Sequence, residues 1–214
     1  MTSKEDSSGA GLTRRSAELL RLMRTRRSAR SFSSRPIPIE VIEDCISIAA
    51  SAPSGANMQP WSFVLVTDQK LKTEIRKQAE QVEREFYARR ISEEWKSRLK
   101  ALRTSRTKEF LEAAPYLICI FVQKYGVDSA GHQIKHYYPL ESVGIATGFL
   151  ISALHQLGIS SLPYTPMPMT FLRRLLRRPR NEKPFMIVVV GYPSRSYEPP
   201  KIKKKVLGEY LTRL

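Results

Sequence analysis

Several short stretches of this sequence carry side chains whose types and spacing suit chemistry. Arg26-Arg27-Ser28-Ala29-Arg30 gathers three guanidiniums and a hydroxyl within five residues, and guanidinium forks match phosphate oxygens bidentately. The segment reads as a grip for one phosphate, or as the solvated basic end of a helix. Ala52-Pro53-Ser54-Gly55-Ala56 precedes an apolar run. Its small side chains let backbone approach a flat ring, with Gly55 free to take unusual dihedrals, although an ordinary helix-to-strand turn has the same composition. Glu83 and Tyr87 stand four apart, hence on one face of a helix, and Lys108 follows in the next charged segment. A carboxylate, a phenol and an ammonium together complement an α-amino acid, Glu83 meeting its ammonium and Tyr87 with Lys108 its carboxylate. The competing reading is a solvated charged face. Thr165, after Pro163-Tyr164, presents a hydroxyl at the end of an apolar stretch, and Lys203-Lys204-Lys205 is a basic run near the carboxyl terminus.

These residues must be held by an ordinary globular frame. Over 214 residues, 42% apolar, the chain is long enough for one sizeable core, and residues 12–214 are expected to form it. Residues 1–11 are polar and lack the apolar centre of a secretory signal, so a disordered leader is expected there. No run approaches the ~20 apolar residues of a membrane-spanning helix. The 36 Lys and Arg against 20 Asp and Glu give a formal charge of +16, far more than one phosphate requires. The remainder reads as a solvated basic surface or as weak, nonspecific adhesion to nucleic acid or anionic lipid. Cys45 and Cys119 form no CxxC pair, and His132, His136 and His155 fall at no ligand spacing. Both thiols are expected buried and reduced, and no metal is expected.

Apolar spacing predicts a helix over Leu12 to Arg27 that aims the arginines from its carboxyl end, and a second, core-packed helix over Ile39 to Ala50. Trp61 to Thr67 reads as a strand. Asp68 suits the cap of a long polar helix reaching Arg90, followed by another from Ser92 to Ala113. Neither has a broad apolar stripe, so the pair, about residues 69–113, is expected to cover a site as a lid. Tyr116 to Gln123 and Phe185 to Gly191 are near-continuous apolar runs, as in strands buried on both faces. Gly126 to Lys135 reads as a loop, Tyr138 to Leu157 as the central helix, Ile159 to Tyr164 as a strand and Thr170 to Leu176 as a short helix. The tail, residues 194–214, has spaced apolar side chains and is expected to dock elsewhere.

The order and wording of these segments resemble the nitroreductase-like flavoproteins and, within them, the iodotyrosine deiodinases. The A-P-S-G-A segment matches without exception, and Ile75-Arg76-Lys77, Leu102-Arg103-Thr104, Lys108-Glu109, His136-Tyr137-Tyr138, Arg178-Pro179, Glu182-Lys183 and Gly191-Tyr192-Pro193-Ser194 are further landmarks. The resemblance implies an α+β nitroreductase fold, a mostly antiparallel central sheet wrapped by helices, in a domain-swapped homodimer whose tail adds a strand to the partner. It implies FMN as cofactor. Arg26, Arg27, Ser28 and Arg30 would take its phosphate and ribityl chain, with Pro53, Ser54 and Gly55 beside the ring. Lys204 stands where the family places an arginine. Where the deiodinases carry three threonines before a proline, this chain has Pro163, Tyr164 and Thr165. All three fall on the FMN-binding stretch, and Thr165 keeps the position directed at the flavin N5, which makes it the catalytic candidate. The Ala56 backbone, Glu83, Tyr87 and Lys108 would hold a halogenated tyrosine.

The activity so implied is reductive dehalogenation of halotyrosines, 3-iodotyrosine giving tyrosine and iodide. NADPH would be the ultimate electron donor, acting through a separate flavin reductase, since the chain has no GxGxxG fingerprint. A general NAD(P)H-dependent nitro or quinone reductase on the same fold is the alternative. A third possibility is a binding protein whose flavin or basic surface serves partner recognition. The vertebrate enzymes carry an amino-terminal membrane anchor that is missing from this sequence, so the expectation is a cytoplasmic protein or a soluble form of an anchored homologue.

Overall fold

Strands whose side chains are apolar on both faces need cover on both, and that requirement organises the molecule. The computed structural model describes residues 9–89, 94, 107–200 and 202–214. Strand β2 (Tyr116–Gln123) pairs antiparallel with β6 (Glu182–Gly191) at the centre of the sheet. β1 (Trp61–Val66) flanks β2 and β5 (Ser160–Tyr164) flanks β6, every pairing antiparallel. On one face Ile118, Ile120, Val122, Val188 and Val190 meet helices α2 (Ile39–Ala50) and α5 (Pro139–Gln156) through Ile42, Cys45, Ala49, Val143, Leu150 and Leu154. On the other, the alternate residues Leu117, Cys119, Phe121, Ile187 and Val189 meet α3 (Gln69–Arg89), the single turn α4 (Phe110–Ala113) and α6 (Thr170–Leu175). The period of two divides the residues cleanly between the faces. The result is the expected α+β architecture with a central antiparallel sheet. Both cysteines are buried and free, and burial pushes the Cys119 thiol up to about 12.

Three details depart from the sequence-based expectation. Helix α1 (Gly9–Thr25) begins three residues earlier than Leu12, so residues 9–11 are helical, with Thr13 Oγ1 donating to the Gly9 carbonyl at 2.9 Å. Helix α3 is more than a cover. Ile75 and Ala79 are fully buried, with Leu71 and Val82 against the same core, a stripe one residue wide. The residues expected to be a loop contain a short hairpin, β3 (Tyr125–Val127) and β4 (Gln133–Lys135), turned by the Asp128 carboxylate, which accepts the N–H groups of Ala130 and His132. The described residues of the tail include a 3₁₀ turn, Leu207–Glu209. Most of the second lid helix, with the landmark Leu102-Arg103-Thr104, lies outside the described residues. Among the described residues no helix is long and apolar enough to cross a membrane.

Glu182, only 3% exposed, ties the sheet together at the start of β6. Its carboxylate accepts from Arg178 Nε at 2.6 Å and Nη2 at 2.8 Å, and from Ser62 Oγ at 2.6 Å. Burial raises its carboxyl, but these donors outweigh burial and hold it below the ordinary value of 4.5. A folded-state value below the unfolded one means that this stability is complete above the unfolded value and is lost as pH falls through the folded one. Glu182→Gln should therefore lower stability at pH 7 by about 3 kcal/mol, the low end for breaking a buried pair because Arg178 is partly exposed, and should flatten the fall in stability below about pH 4.5. Urea unfolding at pH 7 and pH 4 reads both. A variant as acid-sensitive as the wild type would remove Glu182 from that role.

Candidate active site

The trap residues come from two elements. Glu83 projects from α3. Lys108, expected on a helix, sits instead in the turn before α4. Lys108 Nζ lies 2.7 Å from Glu83 Oε2, with 4% and 15% of the two side chains exposed. The Lys108 turn is held by a residue that sequence reasoning passed over. Glu80 Oε1 accepts both the Lys108 backbone N–H and Arg76 Nε, each at 2.7 Å. Burial raises the Glu80 carboxyl, yet these bonds outweigh it and keep the group below its usual range. The Arg76 and Glu80 spacing of four was a visible signal. Lys72, also buried, donates to the Ala114 carbonyl at 2.9 Å and fixes the far side of the same segment. Tyr87 lies one turn beyond Glu83, its ring edge-to-face with Phe86 at 5.8 Å.

A further phenol enters this cluster. Tyr164 donates to Glu83 Oε1 at 2.7 Å, and its ring packs edge-to-face on Phe110 at 5.3 Å. Burial first, then the Glu83 charge, pushes the Tyr164 phenol far above its ordinary value, so it remains a donor. Its hydroxyl is thus committed to the trap. Glu83 Oε2 is buried and makes no hydrogen bond despite the nearby ammonium. One carboxylate oxygen is anchored by Tyr164, and the other faces the Lys108 ammonium at 2.7 Å.

The basic segment forms a second cluster. α1 ends at Thr25, and His155 of α5 fixes that end, its Nε2 donating to the Leu22 carbonyl at 2.9 Å and lying 3.2 Å from Thr25 Oγ1. Beyond it Ser28 bridges to Ser161 of β5, Ala29 N–H donates to the Ser161 carbonyl at 3.2 Å, and Tyr197 donates to the Ser28 carbonyl at 2.7 Å. Thr25, Arg26, Arg27, His155, Ser161 and Tyr197 line a cleft of about 200 Å³. Lys204 is exposed. Slight desolvation first, then the charges of Arg27, Arg26 and Arg24, pull its ammonium below the usual value. Burial likewise lowers the Arg30 guanidinium. Among the described residues no carboxylate pairs with Arg26, Arg27, Arg30 or Lys204. A cluster of cations without counter-charge suits a multiply charged anion such as a phosphate monoester.

The third expected stretch, Pro53 to Ala56, is a tight loop braced from α5. Gly55 N–H donates to Ser142 Oγ at 3.2 Å, and Ser142 Oγ donates to the Tyr138 carbonyl at 2.7 Å. Ser54 Oγ accepts from Gln59 N–H at 3.0 Å. Ala56, Asn57 and Gln59 all adopt left-handed backbone, with φ of 48°, 54° and 47°, a costly run for residues with a Cβ. Ala56 is exposed, and its N–H has no backbone partner among the described residues. Among the described residues no hydrogen bond joins this loop to either cluster.

Strand β5 links the other two. Ser161 touches the basic segment and Tyr164 touches the trap, three residues and so roughly 10 Å apart along an extended chain. Pro163 lies between them, and Thr165 follows the strand end, exposed. A phosphate held at one end and a zwitterion at the other would thus face a common strand.

The chain matches the nitroreductase family over residues 23–192. It is 49% identical over 191 residues to the iodotyrosine deiodinase of Haliscomenobacter hydrossis, covering 89% of this chain and 86% of that protein. It is 42% identical over 201 residues to human iodotyrosine deiodinase 1, covering 94% and 70%. The fold superposes on the crystal structure of an oxidised iodotyrosine deiodinase bound to FMN and 3-iodo-L-tyrosine with a TM-score of 0.78 at 34% identity, over 91% of this chain and 100% of that one. A nitroreductase with bound FMN from Bacteroides fragilis shares the fold at a TM-score of 0.68 and 19% identity, covering 92% of this chain and 98% of that one.

Proposed function

Because the chain belongs to the nitroreductase family and, within it, to the iodotyrosine deiodinases, we propose that it removes halogen reductively from halotyrosines, converting 3-iodotyrosine to tyrosine and iodide with FMN as the redox group. The observation that carries this reading is the buried Glu83–Lys108 pair at the end of β5. A reductase of flat neutral aromatics has no use for opposite charges held there, whereas an α-amino acid brings the complement of each.

The cations of the basic cluster fit the FMN phosphate: Arg26, Arg27, Arg30 and Lys204 would take its charge, and Ser28 would add a hydroxyl. When bound in its reduced form, FMN supplies the two electrons that, with a proton, replace the carbon–iodine bond by carbon–hydrogen and release iodide. The protein's own part is recognition, orientation and exclusion of water. Glu83 accepts the substrate ammonium, Lys108 and Tyr87 take the carboxylate, and the Ala56 N–H meets the phenolate. Thr165, with Pro163, Ser54 and Gly55, would lie on the ring side of the bound flavin, Thr165 contributing a hydroxyl there. NADPH is the ultimate donor, through a separate flavin reductase.

The working form is a homodimer. Helix α5 buries Val143, Ala146 and Leu150 against the sheet yet exposes Leu140, Ile145 and Phe149, with Gly144 and Gly148 open beside them. A helix apolar on both sides calls for cover on both. The exposed tail residues Val206, Leu207, Tyr210 and Leu211 are a second apolar surface in need of a partner. A shared interface also brings the Pro53 to Ala56 loop to a flavin that one chain does not enclose. The buried free thiols fit a reducing, cytoplasmic setting.

Titration of the oxidised, FMN-loaded protein with 3-iodotyrosine should quench flavin fluorescence at micromolar concentrations, whereas 2-iodophenol, lacking the zwitterion, should not. Equal responses to the two would favour a general nitro or quinone reductase. Absence of flavin from the purified protein would sink both readings.

A further inference from the structure

We infer that Tyr164 is a positioning and specificity-determining residue, whose hydroxyl fixes Glu83 to receive an ammonium-bearing ligand and so confers selectivity for amino-acid substrates over neutral phenols. The inference rests on the halotyrosine reading above and names a residue in which this chain departs from the three threonines of the resemblance. The phenol donates to Glu83 Oε1 at 2.7 Å. That contact anchors one oxygen and leaves Oε2, buried and 2.7 Å from the Lys108 ammonium, as the oxygen that a ligand ammonium would share with Lys108. The anchoring is rigid at its base, because Tyr164 pairs with Ile187 in the sheet and its ring packs on Phe110 at 5.3 Å.

The link spans 81 residues, from the strand that leads into Thr165 to the helix that carries the trap. A threonine hydroxyl, borne on Cβ, falls well short of a phenol's reach, so a chain with threonine here has to position its carboxylate by other means. In this chain Glu83 is oriented before any substrate arrives. Less side-chain freedom then remains to be lost on binding, which favours ligands that use the carboxylate and is indifferent to those that do not.

Tyr164→Phe keeps the ring and its packing on Phe110 and removes only the hydroxyl. In the FMN-loaded protein it should raise the Kd for 3-iodotyrosine about tenfold, as expected for loss of one hydrogen bond to a charged group, and change the Kd for 2-iodophenol by less than about twofold. Thermal unfolding of the same samples separates a loss of selectivity from a loss of fold. KM for 3-iodotyrosine should rise with Kd while kcat changes less, since the interaction is already made in the ground state. Unchanged binding of 3-iodotyrosine, or equal weakening of both ligands, would overturn the inference alone. Failure of the wild type itself to bind 3-iodotyrosine would overturn the halotyrosine reading and this inference with it.

Discussion

Lys108→Met should lower kcat/KM for 3-iodotyrosine by about 10² to 10³-fold, while reduction of a nitroaromatic lacking an amino-acid group falls far less. The size follows from the setting. Lys108 is 3% exposed and its ammonium lies 2.7 Å from Glu83 Oε2. Methionine keeps the length and the apolar stem but leaves Glu83 as a buried carboxylate short of charge compensation, and removing one partner of a buried pair costs about 3–5 kcal/mol. At roughly 1.4 kcal/mol per tenfold that is two to three decades, divided between weaker substrate binding and a less stable trap.

The division can be measured. Lys108→Met combined with Glu83→Gln removes both charges together, so the double variant should unfold at a higher temperature than Lys108→Met alone, yet show no recovery of halotyrosine turnover. Recovery of stability without activity is the signature of a pair retained for its ligand. If Lys108→Met reduced halotyrosine and nitroaromatic turnover equally, the pair would be structural and the deiodinase assignment of these residues would fail.

What could be foreseen of this site follows a physical division. β2 and β6 announce themselves because burial on both faces leaves continuous apolar runs, and Arg26 to Arg30 because its cations are adjacent in sequence. Glu83 and Tyr87 share one helix face because four residues separate them. The contribution of α3 to the core was hidden because Leu71, Ile75, Ala79 and Val82 form a stripe too narrow to register as a broad apolar face. The β3–β4 hairpin has three residues per strand around a polar turn, too few for alternation to emerge. The contacts that assemble the site are long-range and polar. Tyr164 to Glu83 and His155 at the end of α1 each join elements distant in sequence. Periodicity reports which side of an element is buried. It carries no record of which polar group on another element will be met.

The loop at Gly55 supplies the second large effect. Gly55→Ala should lower FMN affinity at least tenfold and reduce stability by about 2–3 kcal/mol, the upper part of the range for forcing extra volume into a packed site. A Cβ built at Gly55 would run into the carbonyl oxygen and carbon of Tyr137. These are backbone atoms and cannot rotate aside as a side chain would. Tyr137 in turn precedes Tyr138, which caps α5 in a left-handed conformation with φ of 50°. Ser142 Oγ holds both sides of the contact, accepting from Gly55 N–H and donating to the Tyr138 carbonyl. Any retreat therefore breaks this bridge or disturbs the first turn of α5, the helix whose opposite face packs the sheet. The displaced segment also contains Ala56, Asn57 and Gln59, whose left-handed backbone persists only while its surroundings fix it. Flavin retention after gel filtration, and the urea midpoint of the same sample, read the two effects together. A Gly55→Ala protein that kept its flavin and its stability would show that the loop yields without cost, and that the close approach to Tyr137 is incidental to the cofactor site.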